Sequence, residues 1–429
     1  MSLPRGVPAR TSINGETIMK KISIIGAGIV GIATAAYLRR DGHEVTVVDM
    51  RPPGEYTSFG NAGILSPGSC VPIAMPGILG KVPGYLSDPL GPLKVRWSYF
   101  STALPWLWRF VRSTQLPQIE RTADALIGLL SQTFDAHLPL ARQAGCADLI
   151  RQTGYVVVYD SELAYHNDAL AWKLRRDRGV ICKEIDAVGI ARLVPALARN
   201  YPRGVYLPEQ GFVTNPERLT KTLAQQFQKD GGTILQRRVL DVEMGPEGPR
   251  ALLTDAGRLE LDLLVLCAGV HSGEFTAKLG DTVPLEAERG YHVTFSDPGL
   301  ELPMPVCSAQ NKFFVTPMEM GTRIAGQSEF AGIDAEPDYG RADVLAQHMK
   351  HMFPQVREVD STRWMGRRPS MPDSRPVIGR ATKYANTYYA FGHGHIGLVG
   401  SAPTGRIIAD LIAGRQPNID ITPFRVDRF

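Results

Sequence analysis

The stretch Lys21-Ile22-Ser23-Ile24-Ile25-Gly26-Ala27-Gly28-Ile29-Val30-Gly31, followed by Glu44-Val45-Thr46-Val47-Val48-Asp49, decides the fold. An apolar run from Ile22 to Ile25 ends in a glycine turn, a helix is expected from Val30 to Arg40, and a second strand runs from Glu44 to Asp49. This is a β-α-β unit with GxGxxG between strand and helix and an acid closing the next strand. Gly26 permits the tight turn, Gly28 lets the backbone approach a pyrophosphate, and Gly31 lets helix and strand pack closely. The helix N-terminus offers free N–H groups to the anion, and Asp49 is placed to accept from the adenosine ribose. A lone glycine triplet would be a flexible turn; the strand, the helix and the terminal acid make it a dinucleotide site.

The fingerprint serves NAD and FAD alike, so the choice rests on its surroundings. Thr57-Ser58-Phe59-Gly60-Asn61-Ala62-Gly63 is a small, polar loop that could lie flat against a flavin ring, although a plain surface turn would read the same. Phe391-Gly392-His393-Gly394-His395-Ile396-Gly397 precedes a helix and would bring a second set of backbone N–H groups to the cofactor. Its alternative is a glycine-rich loop that merely packs.

Outward from these motifs, the chain of 429 residues with 44% hydrophobic content can bury a large core in about two or three domains. The net charge of +4 comes without a basic run, which argues against nucleic acid. Five cysteines (Cys70, Cys146, Cys182, Cys267, Cys307) lack metal-ligand or disulfide-scaffold spacing, so no metal is expected and a reducing, cytoplasmic compartment is. Residues 1–18 lack an apolar signal core and read as a disordered tail.

Helical patterns follow a Gly- and Pro-rich stretch at 67–92, around Arg96 to Arg112 and Ile119 to Gln143. Asn215 caps a further helix with Pro216 at its first position and Leu219, Leu223 and Phe227 on one face, ending at Gly231. Strands are expected at Ile234 to Glu243 and Leu263 to Ala268, strand pairs and loops from Val283 to Val359, and a last helix from Pro403 to Ala413. The expected fold is α/β, a Rossmann-like FAD-binding domain (a parallel sheet with helices) interleaved with an α+β substrate domain built on an antiparallel sheet. The FAD-binding domain would comprise 19–75, 205–282 and 360–429, and the substrate domain 76–204 and 283–359.

Gly26 to Gly31, Thr57 to Gly63, Cys267-Ala268-Gly269, Gly366-Arg367-Arg368-Pro369 through Pro376-Val377-Ile378-Gly379, and Gly392 to Gly397 together resemble the D-amino-acid oxidase superfamily. The match spans almost the whole chain. Order and spacing, with Leu104 to Phe110, look like the bacterial D-amino-acid dehydrogenases; His393-Gly394-His395 and Lys312 to Gly326 look like members handling D-proline or 4-hydroxy-D-proline. The resemblance implies that FAD is held by Gly26, Ala27, Gly28, Ile29, Val30, Gly31, Asp49, Met50, Arg51, Ser58, Asn61, Ala62 and Gly63. Val239, Ala268, Gly269, Gly394, Ile396, Gly397 and Leu398, with the two histidines, would complete that site. Covalent attachment in some relatives uses a cysteine near the C-terminus or a histidine after the first β-α-β unit; neither is present here, which implies non-covalent FAD.

The family motif GxRPxxxDxxPxIG, aligned on Pro369, Asp373 and Gly379, puts the substrate-carboxylate arginine at Arg368. Arg367 occupies a position that is usually apolar in the family, which leaves open which of the two points inward. A guanidinium matches a carboxylate in two-point geometry, as lysine cannot; the alternative for Arg368 is an ion pair with Asp373 or Glu358.

Hydride loss from Cα needs a neutral amine, so a proton acceptor is sought, with His395 ahead of His393. Tyr291 is a further substrate-facing candidate that reads equally as a packing residue. The aromatic, basic segment from Arg96 to Arg112 reads either as a core helix or as an interfacial one, the latter implying a peripheral enzyme at the inner membrane face with a quinone or respiratory acceptor. The competing readings are a glycine- or sarcosine-type oxidase using O2 and, outside enzymes, a non-catalytic flavin-binding subunit.

Overall fold

A computed structural model describes residues 19–429; the tail expected at 1–18 lies outside them. Five parallel strands run in the order Thr233–Gln236, Glu44–Asp49, Lys21–Ile25, Leu263–Leu266 and Thr387–Phe391, and Val377–Arg380 adds antiparallel at the far edge. Side chains alternate between the two faces. Ile22, Ile24, Val45, Val47, Leu263 and Val265 meet the helices Ile29–Arg40, Pro216–Lys229 and Ser401–Ile412 on one side. Ile25, Val48, Leu264 and Leu266 meet a three-stranded meander (Val239–Gly245, Gly248–Thr254, Gly257–Glu260) and the helix Ser272–Lys278 on the other.

The helix at Pro216 begins as its cap dictates, with the Asn215 side chain accepting from Arg218 N at 2.9 Å, and it ends before Gly231 in the left-handed region. Helix Ile29–Arg40 lies so close to Ser401–Ile412 that a Cβ on Gly405 would stand 2.8 Å from Thr34 N.

A second sheet orders Ser361–Ser370, Glu286–Phe295, Gly321–Phe330, Phe313–Met318, Val306–Ser308, Tyr155–Tyr159, Arg203–Leu207 and Lys183–Asp186, with Leu93–Val95 beside Gly321–Phe330. Its pairings are antiparallel except those of Val306–Ser308 with Tyr155–Tyr159 and of Leu93–Val95 with Gly321–Phe330. The α/β class with a second, mainly antiparallel lobe therefore holds.

Several sequence expectations are corrected. Ile234 to Glu243 is two strands: Thr233–Gln236 finishes the parallel sheet, Arg237 N donates to Asp49 O at 2.8 Å, and Val239–Gly245 turns away into the meander. Ile119 to Gln143 breaks at Ser131 into Leu116–Leu130 and Thr133–Gln143. The region 283–359, expected as strand pairs and loops, contains the helix Gly340–Met352, whose Ala342, Leu345, Ala346 and Met349 pack under the second sheet. Arg203–Leu207 and Ser361–Ser370, assigned by sequence largely to the first unit, are strands of the second sheet.

Candidate active site

The glycine fingerprint sits where the parallel strands end, and each of its glycines has a steric reason. Gly26 has φ +113°, and a Cβ there would lie 2.3 Å from Cys267 O. A Cβ on Gly31 would lie 1.9 Å from Gly26 O. Gly28 caps helix Ile29–Arg40 without a side-chain bond, and no acid stands in the first turn. Asp49 accepts from Ala27 N at 2.7 Å and Arg51 N at 2.9 Å, which fixes its carboxylate at the rim of the loop. Ser58 Oγ accepts from Ile29 N at 2.9 Å, and Asn61 locks its own loop by donating to Ser58 O and accepting from Gly63 N, both at 2.8 Å.

Ala268 and Gly269 follow the neighbouring strand, the latter with φ +57°, and Val239 packs with Ile25, Val48 and Ala268 beneath them. Met50 and Arg51 are exposed beyond Asp49, and Ala62 is held through its carbonyl by Thr316 Oγ1 at 2.9 Å. A helix N-terminus with no acid in its first turn, opened by close-packed glycines and flanked by the Asp49 carboxylate, fits an adenine dinucleotide.

The second sheet supplies the other wall. Glu288 and Arg368 are direct cross-strand partners, as are Gly290 and Gly366, so all four project to one face. The Arg368 guanidinium lies flat over Gly290: a Cβ there would be 2.1 Å from Nη2 and 2.3 Å from Cζ. Trp364 covers Gly366 and Gly60 in the same way. Arg368 Nη1 donates to Glu288 Oε1 at 2.9 Å and Gln327 O at 2.8 Å, and Nη2 to Gly326 O at 3.2 Å. Glu288 also accepts from Ser328 Oγ at 2.5 Å and Ser370 Oγ at 2.8 Å, and His395 Nε2 stands 3.2 Å from Oε1. Burial alone would raise the Glu288 carboxyl, but His395, Arg368 and Ser328 hold it well below the usual carboxylate range.

Arg368 and His395 converge on one carboxylate. Neither alternative partner for Arg368 applies: Asp373 pairs with Arg375 and Arg428, and Glu358 with Lys350 and Arg363. Arg367 lies on the opposite face, donating to Ile333 O at 2.7 Å and to the Tyr56 hydroxyl at 3.3 Å.

His393 is buried, shares a 2.9 Å hydrogen bond with Thr404 Oγ1, and burial pushes it down to about 3, which leaves it no base's role at neutral pH. Tyr291 projects away from Glu288 and donates to Glu329 Oε2 at 2.5 Å in the core, so the packing alternative describes it. Gly394, Ile396, Gly397 and Leu398 form the turn that carries His395 and leads to helix Ser401–Ile412. Glu288 escaped the sequence reading, because Glu286-Ala287-Glu288-Arg289 reads as a polar stretch although all ten residues of its strand are buried.

Fold and site together define a flavin-type oxidoreductase, in which a nucleotide-binding sheet faces an arginine-bearing antiparallel wall. The chain belongs to the FAD dependent oxidoreductase (DAO) family, whose match runs over residues 21–411, and it is an FAD-dependent enzyme. It is 40% identical over 417 residues to a D-amino-acid oxidase of Bradyrhizobium diazoefficiens, covering 96% of this chain and 99% of the relative. It is 30% identical to a D-amino acid dehydrogenase of Agrobacterium fabrum, covering 95% and 99%. Among solved structures, glycine oxidase from Geobacillus kaustophilus superposes with a TM-score of 0.75 at 19% identity, covering 96% of this chain and all of that one (100%), which speaks to the fold.

Proposed function

We propose that the protein oxidises a D-amino acid at Cα to the imino acid, with D-proline and cis-4-hydroxy-D-proline as the favoured substrates. The observation that carries this reading is the free edge of Arg368. Its Nη1 is committed to Glu288 and Gln327, whereas among the described residues Nε has no partner and Nη2 has one. Nε–H and the remaining Nη2–H lie on one side of the planar group, the spacing of a carboxylate's two oxygens.

His395, exposed on the same wall, accepts the proton that an ammonium must lose before its carbon can give up a hydride. The fingerprint loop, Asp49 to Arg51, Ser58 to Gly63, Val239, Ala268 to Gly269 and the 394–398 turn would hold FAD without a covalent bond, and it would supply the two-electron acceptor. The D preference rests on the named relatives, which are D-amino-acid enzymes. The test is turnover against a panel of D-, L- and N-methyl amino acids with identification of the product. Imine-derived keto acid or cyclic imine from D-substrates supports the reading, and turnover of glycine or sarcosine alone replaces it with the oxidase alternative.

The acceptor is read as a membrane quinone or respiratory carrier, with the enzyme peripheral to the bilayer. Helix Phe100–Arg112 buries Ala103 and Trp106 but exposes Leu104 and Trp108, with Trp97 78% exposed beside them. Arg109 and Arg112 lie on the same helix and it carries no acid, as an anionic lipid surface requires. No helix among the described residues is long and apolar enough to cross a membrane. Co-sedimentation with anionic vesicles, lost in a Trp97→Ser/Trp108→Ser variant, is expected; equal sedimentation of both, together with stoichiometric peroxide from O2, would remove this reading.

A further inference from the structure

Glu288 is the most heavily contacted buried acid on the site wall, and the proposed reaction has not used it. Its side chain is buried, with 5% exposure, and four side chains address it: Arg368, Ser328 and His395 at Oε1 and Ser370 at Oε2. The nearby charges are engaged elsewhere. Glu286, two residues back on the same strand, accepts from Tyr99 at 3.1 Å; Glu329, on the next strand, pairs with Tyr291 and Arg96; Arg289 is spent on the carbonyls of Gly332 and Glu336; Arg367 lies on the opposite face. Arg368 and His395 are therefore the charged or titratable groups within hydrogen-bond reach of Glu288 among the described residues. One carboxylate touches both side chains that face the substrate.

We infer that Glu288 is the positioning residue of the reaction, orienting His395 as the proton acceptor and setting how strongly Arg368 grips the substrate. An ionised carboxylate is an acceptor only, so the proton of a neutral His395 sits on Nε2 toward Glu288, and Nδ1 keeps its lone pair. The ammonium proton passes to Nδ1, and the nitrogen keeps the lone pair it needs to form the imine; a bound FAD would supply the two-electron acceptor for the Cα hydride. The resulting imidazolium lies 3.2 Å from the Glu288 charge and is stabilised by it. At Arg368 the effect is opposite: Glu288 already shares the guanidinium charge and occupies Nη1, which leaves the Nε/Nη2 edge for the substrate and tempers its affinity.

The two roles have opposite signs, which separates them from a merely structural one. This inference rests on the amino-acid reading above. The experiment compares the FAD-loaded wild type with Glu288→Gln, by calorimetric binding of pyrrole-2-carboxylate, which has no oxidisable Cα–H, and by the pH profile of kcat/KM. Glu288→Gln is expected to bind the carboxylate about tenfold more tightly, since a buried counter-charge is gone. It is also expected to lose about 10²-fold in kcat, with the acidic limb moved to lower pH.

A parallel fall in both affinity and kcat with an unmoved profile would mean a structural role and overturn the inference. Should Glu288→Gln not fold, His395→Gln at its exposed position decides: loss of the acidic limb with unchanged carboxylate affinity supports the inference, and an intact limb overturns it. If the wild type neither binds pyrrole-2-carboxylate nor oxidises any amino acid, the amino-acid reading itself fails. If it does both while Glu288→Gln matches it throughout, only the role of Glu288 fails.

Discussion

Gly290 shows how a single absent side chain makes room for chemistry. Its missing Cβ is the floor on which the Arg368 guanidinium lies, so Gly290→Ala has to push that group off its bonds to Gln327 and Gly326. The expected outcome is a rise in KM of roughly tenfold or more, the scale of a charge-assisted hydrogen bond, while the variant still folds and keeps FAD. Steady-state kinetics beside the visible flavin spectrum check this. An unchanged KM would mean that Arg368 does not hold the substrate.

At this scale the sequence was informative where a motif fixes a residue type and silent where only distance does. Arg368 was legible because it precedes Pro369 in a recurrent pattern. Glu288 lies eighty residues earlier in the chain, and nothing local marks an acid whose partners come from two other strands and a turn. His393 and His395 read alike in a glycine loop, and the two-residue step between them sends one toward helix Ser401–Ile412 and the other to the open face.

Among the elements, the β-α-β unit at the N-terminus was readable almost to the residue, because its glycines carry steric demands that the neighbouring backbone imposes. Gly31→Ala sets a methyl 1.9 Å from Gly26 O and must lift the helix from the strand that presents the pyrophosphate donors. The purified variant is expected to lose most of its FAD, read as the ratio of visible to protein absorbance, with helix content by circular dichroism near that of the wild type. Full retention of FAD would detach the fingerprint from the cofactor. The strands near 234–243 were harder to delimit, because the chain leaves one sheet for another at Gln236-Arg237-Arg238, a polar step with no glycine or proline to mark a break. Periodicity reports extended backbone and says nothing of which partner it finds. The helix Gly340–Met352 shows the same limit, since its apolar face is interrupted by the buried polar residues Arg341 and His348.

Across the whole molecule, three buried histidines tie stability to pH. Burial pushes His137 down to about 4 and His292 and His393 down to about 3, while the unfolded chain titrates them near 6.5. Between those limits the unfolded state binds more protons, so stability is complete above about pH 6.5 and falls as pH drops toward 4. Unfolding near pH 5 is expected to take up on the order of two to three more protons from these groups than it does at pH 8, which chemical denaturation across pH measures. A flat stability profile between pH 7 and 5 would contradict the burial described. The interleaving of the two sheets along the chain was foreseen in outline, but the crossing points were not: Arg203–Leu207 joins the second sheet through Tyr155–Tyr159 and Lys183–Asp186, and Ser361–Ser370 through Glu286–Phe295, partners that no local motif announces.

If Arg368 grips the substrate carboxylate, a D-configured carbon stands before the flavin. Anaerobic mixing of the FAD-loaded protein with paired D- and L-amino acids, including D-proline and cis-4-hydroxy-D-proline, followed at the flavin's visible band, decides this. Rapid bleaching by D-members alone, slowed by about 10²-fold or more in Arg368→Lys, is the result predicted, since lysine cannot offer the two-point edge. Bleaching by glycine or sarcosine only, by L-members equally, or by nothing would contradict it, as would an Arg368→Lys variant that bleaches like the wild type.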